Sequence, residues 1–281
     1  MKTLITGATG FLGRNFIKQY SLNSDTYILV RQPQKYPNGA VTMTGEIHSE
    51  DSLNIIRKER FGQVINFAWE GLPALTTENN AKNLQSQLRF LGTLCETDCR
   101  IINIGSCLEY GNQTGKLSES RNPTDVSEFG LTKSTIRAFL ENQGANFAWI
   151  RVFYAFGPYQ HSSSFLNYIY SGYKNGEKPE IKNPLLAHDF IPSGTVAKII
   201  LEICRNAELQ GVFNAGSGRL TSLGQLANEL ARQMNVPFQY EETKNPLGMY
   251  ADISKLPAAV HIEAIGEGIS HFLASKVNKS D

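Results

Sequence analysis

Three glycines at three-residue spacing, Gly7, Gly10 and Gly13, separate the short apolar run Thr3-Leu4-Ile5 from a helical pattern over roughly 10–20. A strand must turn sharply into a helix there, and each glycine has its own reason. Gly7 permits the tight turn, Gly10 lets a ligand approach the backbone, and Gly13 lets the helix pack closely on what precedes it. The helix start also offers free N–H groups and positive partial charge, which suit a pyrophosphate. In this setting Thr6-Gly7-Ala8-Thr9-Gly10-Phe11-Leu12-Gly13 predicts a dinucleotide-binding loop, with Gly7, Thr9, Gly10, Phe11, Leu12 and Gly13 at the cofactor. The alternative is a strand-to-helix turn without a ligand.

The same alternation continues along the chain. Tyr27-Ile28-Leu29-Val30, Val64-Ile65-Asn66-Phe67, Ile101-Ile102-Asn103-Ile104 and Phe147-Ala148-Trp149-Ile150 read as strands, and the stretches 49–60, 81–97 and 127–142 read as crossover helices. Strands that alternate with helices long enough to cross over predict an α/β fold, a Rossmann-type doubly wound parallel sheet. After Arg151 the sequence becomes rich in Gly, Pro and Tyr through Pro184, a texture suited to a binding lobe over a rigid sheet. A further strand at Val212-Phe213-Asn214 and an amphipathic helix from Leu223 to Met234 follow, then a polar end at Lys276 to Asp281. The predicted division is a dinucleotide-binding domain over 1–154, rejoined by 187–222, and a smaller C-terminal substrate-binding lobe from 155–186 and 223–281.

The 27 basic and 26 acidic residues are interspersed, so no global field draws nucleic acid or an anionic membrane. No stretch approaches the ~18 apolar residues of a membrane span, and the first residues are too short an apolar run for a secretory signal, which points to the cytoplasm. Cys95, Cys99, Cys107 and Cys204 form no Cys-x-x-Cys pair and have no histidine at metal spacing, so reduced thiols and no metal site are expected.

Arg31 follows the second strand, where an acidic residue would accept from a ribose 2′-hydroxyl. A guanidinium suits a 2′-phosphate, and Lys35 adds a point charge, so NADP(H) is expected, with NAD(H) as the alternative. A solvated surface arginine is the plain reading of the same residue.

Further landmarks in order resemble the extended short-chain dehydrogenase/reductases, specifically the NAD(P)-dependent nucleotide-sugar epimerase, dehydratase and reductase group. They are Glu46-Ile47 at the adenine position, Phe67-Ala68-Trp69 in place of His-Leu-Ala-Ala, the helix residue Asn83, and Ser106-Cys107-Leu108-Glu109-Tyr110-Gly111. Arg151-Val152-Phe153-Tyr154-Ala155-Phe156-Gly157-Pro158 and Ala251-Asp252-Ile253-Ser254-Lys255 complete the set. The resemblance spans almost the whole chain. It implies that Glu46, Ile47, Phe67, Ala68, Trp69 and Asn83 join the cofactor site, and that the protein forms a homodimer through helix pairs.

In such enzymes a Tyr-x-x-x-Lys pair acts with a serine: the phenol relays a proton, and the lysine supports it and binds ribose. Here Ser106 and Lys133 are present, but Phe129 stands four residues before the lysine. A phenyl ring cannot exchange the proton, and such help is worth ~10²–10⁴-fold. Three accounts follow. A Tyr→Phe change disables the site, the account preferred on the sequence because Ser106 and Lys133 remain. Alternatively Tyr110, Tyr154, Cys107 or a held water takes over the proton, or the chain is a silent NADP-binding regulator.

His188-Asp189-Phe190-Ile191 resembles the family's Arg-Asp-Phe-Val, with His188 where an arginine meets the substrate pyrophosphate, and Tyr154 replaces an asparagine. The resemblance thus implies Ser106, Cys107, Tyr154, His188 and Arg219 at the substrate, Arg219 supplying the missing charge. Because a net reductase draws on NADPH, Arg31 favours reduction of a 4-keto-6-deoxy sugar nucleotide, as in deoxysugar and surface polysaccharide (lipopolysaccharide) biosynthesis. A nucleotide-sugar 4-epimerase is the alternative.

Overall fold

A computed structural model describes residues 1–277 of the chain. The elements begin with β1 (Thr3–Thr6), α1 (Phe11–Ile17), β2 (Thr26–Val30), β3 (Val41–Thr44), α2 (Glu50–Glu59), β4 (Gln63–Asn66), α3 (Thr77–Cys95) and β5 (Arg100–Ser106). A 3-10 turn at Cys107–Tyr110 and the short β6 (Gly115–Leu117) lead to α4 (Glu128–Asn142), β7 (Phe147–Val152), β8 (Tyr154–Phe156) and α5 (Phe165–Lys174). The rest comprises β9 (Ala187–His188), β10 (Phe190–Pro192), α6 (Ser193–Arg205), β11 (Gly211–Ala215), β12 (Thr221–Ser222), α7 (Leu223–Met234), β13 (Met249–Ala251) and α8 (Ile265–Val277).

Seven strands form one parallel sheet in the order β11-β7-β5-β4-β1-β2-β3. Both faces are covered, which is why β1, β4 and β7 are buried throughout instead of alternating between buried and exposed. Successive side chains still divide between faces. Ile5, Ile28, Ile65 and Ile102 pack with Phe16 of α1 and Val196, Ile199 and Ile200 of α6, whereas Leu4, Leu29, Val64 and Ile101 pack with α2, α3 and α4. This is the α/β architecture that the alternating runs predict.

The chain leaves β1 towards β2 in one direction and later towards β4 in the other, so the order reverses between β1 and β4. Crevices for ligands open at the carboxyl ends of strands flanking such a reversal. Gly7, Arg31 and Phe67 follow directly on β1, β2 and β4, so all three lie at that crevice.

The differences from the sequence reading are local. The edge strand β3 was not foreseen, because Val41-Thr42-Met43-Thr44 buries only Met43 and has the polarity of a loop. Helix α3 starts at Thr77 and not Ala81, since the Thr76 hydroxyl accepts from the Asn79 N–H and nucleates a polar first turn ahead of the apolar repeat. Helix α7 spans Leu223–Met234 as expected, closed by a reciprocal Ser222–Gln225 capping box. Most of the polar end read at 276–281 lies outside the described residues.

Beyond the sheet, Leu166 and Ile169 of α5, Leu226 and Leu230 of α7 and Ile269 and Phe272 of α8 share an apolar cluster with Phe156 and Phe190. A buried carboxylate also links this part to the sheet. Asp189, fully buried, accepts from the Ser217 N–H at 2.6 Å, the Ser217 hydroxyl at 2.7 Å, the Gly218 N–H at 3.1 Å and the Ala251 N–H at 2.9 Å. No described helix is long and apolar enough to cross a membrane.

Candidate active site

The phosphate loop has the form that its glycines require. Gly7 has φ +65°, and a Cβ there would stand 2.5 Å from the Phe67 carbonyl carbon, so the turn and the strand beside it both demand glycine. A Cβ on Gly10 would meet only the Gly7 carbonyl oxygen, leaving the outer side of the loop open, and the first turn of α1 has no side-chain cap. Among the sequence-predicted residues, Gly7, Thr9, Gly10, Arg31, Glu46, Ile47, Phe67, Ala68, Trp69 and Asn83 line one cleft over the β1–β4 reversal. His48, Glu70, Lys82 and Gln87 line it too and were not foreseen. Phe11, Leu12 and Gly13 lie behind its rim in α1, where Gly13 packs on Gly7 and Ala8.

A polar network holds the wall of this cleft. Asn66 donates to Gln87 Oε1 at 2.7 Å and to Asn103 Oδ1 at 2.6 Å, and it accepts from the Thr6 hydroxyl at 2.6 Å. Gln87 in turn donates to the Ala68 carbonyl at 2.7 Å. Asn83 accepts from the Glu70 N–H at 2.9 Å and donates to the Glu70 carbonyl at 3.0 Å and the Asn79 carbonyl at 2.7 Å. Its amide therefore fastens the segment after β4 to α3. At the mouth, Arg31 Nη1 and Glu70 Oε1 form an exposed ion pair of 3.1 Å. The buried His48 Nδ1 has no hydrogen-bond partner among the described residues.

The cleft has a glycine loop with an uncapped helix start at its centre and acidic and basic side chains at its mouth, and Trp69 of its wall packs on Lys133, which bonds β5 two residues before Ser106. Ser106 ends β5 half-buried. Its Oγ accepts from the Leu108 N–H at 3.2 Å. Its backbone N–H donates to Glu109 Oε1 at 2.8 Å. Glu109 is buried and also bonds Trp149 Nε1 at 2.8 Å and Arg151 Nε at 3.0 Å, so the strand end carrying Ser106 is fixed from three sides. The sequence signal for Glu109 was the Ser-x-x-Glu spacing of a capping box.

Helix α4 approaches the 3-10 turn so closely that a Cβ on Gly130 would stand 2.2 Å from the Leu108 carbonyl oxygen. That contact brings Phe129 and Lys133 beside Ser106's strand. The Lys133 ammonium donates to the Ile104 carbonyl at 2.9 Å and lies 3.6 Å from the centre of the Trp69 ring. Phe129 is buried and meets Trp69 edge-on, ring centres 5.4 Å apart. Burial pulls the Lys133 pKa down to about 7, against a smaller upward pull from Glu109.

The alternative proton carriers fare differently. The Tyr110 hydroxyl is buried and donates to Asn214 Oδ1 at 2.7 Å, and burial raises its pKa. Cys107 is buried and its pKa is pushed up to about 12 by burial, so its thiol stays protonated near pH 7 and is a poor proton carrier. Burial likewise pushes half-buried Tyr154 up to about 12. Tyr154 stacks on His188, ring centres 3.8 Å apart and planes within 20°. Burial lowers the His188 pKa, so the imidazole is neutral near pH 7 and brings no positive charge to a diphosphate. Arg219 is exposed two residues before Thr221, which pairs with His188 across β12 and β9.

Comparison with known proteins gives a consistent result. UDP-N-acetylglucosamine 4-epimerase from Methanobrevibacter ruminantium M1, in complex with UDP-N-acetylmuramic acid, superposes with a TM-score of 0.83 at 20% identity, covering 99% of this chain and 98% of that one. UDP-glucose 4-epimerase from Thermotoga maritima with UDP-glucose has a TM-score of 0.80 at 18% identity, covering 100% of both chains. A Tyr→Phe mutant of UDP-glucuronic acid 4-epimerase from Bacillus cereus, in complex with UDP-4-deoxy-4-fluoro-glucuronic acid and NAD, has a TM-score of 0.83 at 17% identity, covering 99% of this chain and 100% of that one. At such identities the likeness is one of fold. The family model described as "NAD dependent epimerase/dehydratase family" matches residues 3–216, the stretch that carries the glycine loop, Ser106 and Lys133. The chain belongs to the NAD dependent epimerase/dehydratase family.

Proposed function

We propose that this protein is a nucleotide-sugar 4-epimerase of the NAD-using type, acting on a UDP-sugar, with its proton-transfer step impaired by Phe129. The observation that carries the reading is the open glycine loop at the centre of the cleft, with Lys133 against its Trp69 wall and bonded to the Ile104 carbonyl two residues before Ser106. The names of the similar structures, UDP-sugar 4-epimerases with UDP-sugars or NAD, support it.

The glycine loop and the Gln87-braced wall would hold the dinucleotide, and the chemistry it would supply there is reversible acceptance of hydride from the sugar C4. Ser106 donates a hydrogen bond to the C4 oxygen from a strand end that Glu109 keeps in place. Lys133 places a desolvated amine next to that oxygen's proton path, and Trp69 and Phe129 keep water from it. Phe129 fills the place of the proton relay without performing it.

The 4-keto reductase expected from Arg31 is the less well supported reading, because the similar structures are UDP-sugar 4-epimerases. The test is interconversion of UDP-glucose, UDP-N-acetylglucosamine and UDP-glucuronic acid with their 4-epimers, comparing this chain with Phe129→Tyr. Tyrosine should raise the rate by ~10²-fold or more. Oxidation of NADPH by a 4-keto-6-deoxy sugar nucleotide, with no epimerisation by either chain, would sink the proposal.

A further inference from the structure

Arg31 and Glu70 come from loops that follow β2 and β4, and β1 lies between those strands. Their 3.1 Å ion pair therefore straddles the glycine loop and crosses the mouth of the cleft. Glu70 is not a loosely placed surface residue: Asn83 bonds both its backbone N–H and its carbonyl. The other cation of the lining, Lys82, is paired with Glu78 at 2.9 Å. Arg31 and Lys82 face Glu46 and Glu70 in the same lining, so positive and negative charges balance and both cations already have counter-ions.

We propose that Glu70 is the residue that sets cofactor preference, holding Arg31 as its counter-ion and selecting the ribose 2′-hydroxyl of NAD against the 2′-phosphate of NADP. The inference rests on the dinucleotide reading of the cleft. Breaking an exposed ion pair is cheap, so the pairing alone would not exclude a phosphate. The discrimination comes from like charge. A 2′-phosphate on Arg31 would bring about two negative charges against the carboxylate of a residue whose backbone Asn83 fixes at the mouth of the cleft. A hydroxyl carries no charge and can donate to that same carboxylate. Arg31 then stacks or bonds at the ribose edge without calling for phosphate.

The experiment is titration calorimetry of NAD⁺ and NADP⁺ with the full chain, Glu70→Gln, and Glu70→Gln combined with Arg31→Gln. The parent should bind NAD⁺ more tightly than NADP⁺. Glu70→Gln should shift the affinity ratio about tenfold towards NADP⁺, equivalent to ~1.4 kcal/mol, chiefly by tightening NADP⁺. The gain should vanish in the double variant, because Arg31 is what the phosphate gains. A parent that prefers NADP⁺, or a Glu70→Gln chain with an unchanged affinity ratio, overturns the inference and leaves the dinucleotide reading standing. Binding of neither dinucleotide to the parent overturns both.

Discussion

Lys133 concentrates the physical tension of this site in one side chain. Its ammonium has a carbonyl and an aromatic face for company, and no described carboxylate lies within ion-pair distance of it. A lysine lowered from 10.5 to about 7 binds fewer protons folded than unfolded between those values. Stability therefore rises as pH rises through that window, and the penalty is complete below about 7. Lys133→Met should accordingly be more stable than the parent by roughly 1–3 kcal/mol at pH 6, with the advantage shrinking towards pH 10. Urea unfolding at both pH values checks this, and a pH-independent difference would refute the account. The lysine itself was legible in the sequence as the fourth residue after Phe129. Its dry setting was not, since Trp69 reaches it from a loop 64 positions away in the chain.

At the scale of elements, α4 and the 3-10 turn after β5 act as one unit, and Gly130 is where they touch. Its backbone is helical, so propensity alone would make Gly130→Ala stabilising by ~1 kcal/mol. The 2.2 Å approach to the Leu108 carbonyl oxygen decides the sign the other way. Gly130→Ala should cost about 2–4 kcal/mol and lower Tm. A rise in Tm would mean the helix can slide off the turn freely. Periodicity read α4 and α7 almost to the residue, because each carries a capping serine and a sustained apolar repeat. It missed β3, an edge strand with one buried side chain, and it began α3 late, because a polar first turn has no apolar period to detect. The closeness of Gly130 to Leu108 is a property of two elements together and is written in neither alone.

For the whole molecule, the strand reversal between β1 and β4 gathers residues from distant parts of the chain into one cleft, and Asp189 ties the outer cluster to the sheet. Each carboxylate oxygen of Asp189 accepts from two donors. An asparagine would aim an N–H₂ group at two of them. Asp189→Asn should therefore cost about 2–4 kcal/mol, read as a lower urea midpoint, and a loss below ~1 kcal/mol would show that the link is dispensable. The doubly wound sheet followed from alternating runs, and most of the cleft lining followed from motif positions. Glu70 did not, because only the order β4-β1-β2 sets it opposite Arg31. The chain has two tryptophans, and they sit in opposite circumstances. Trp149 is sealed in the interior with its indole N–H on Glu109, while Trp69 stands in the cleft wall against an ammonium. The protein thus carries two fluorophores with separate duties, one whose emission follows what enters the cleft and one whose emission changes only when the interior opens.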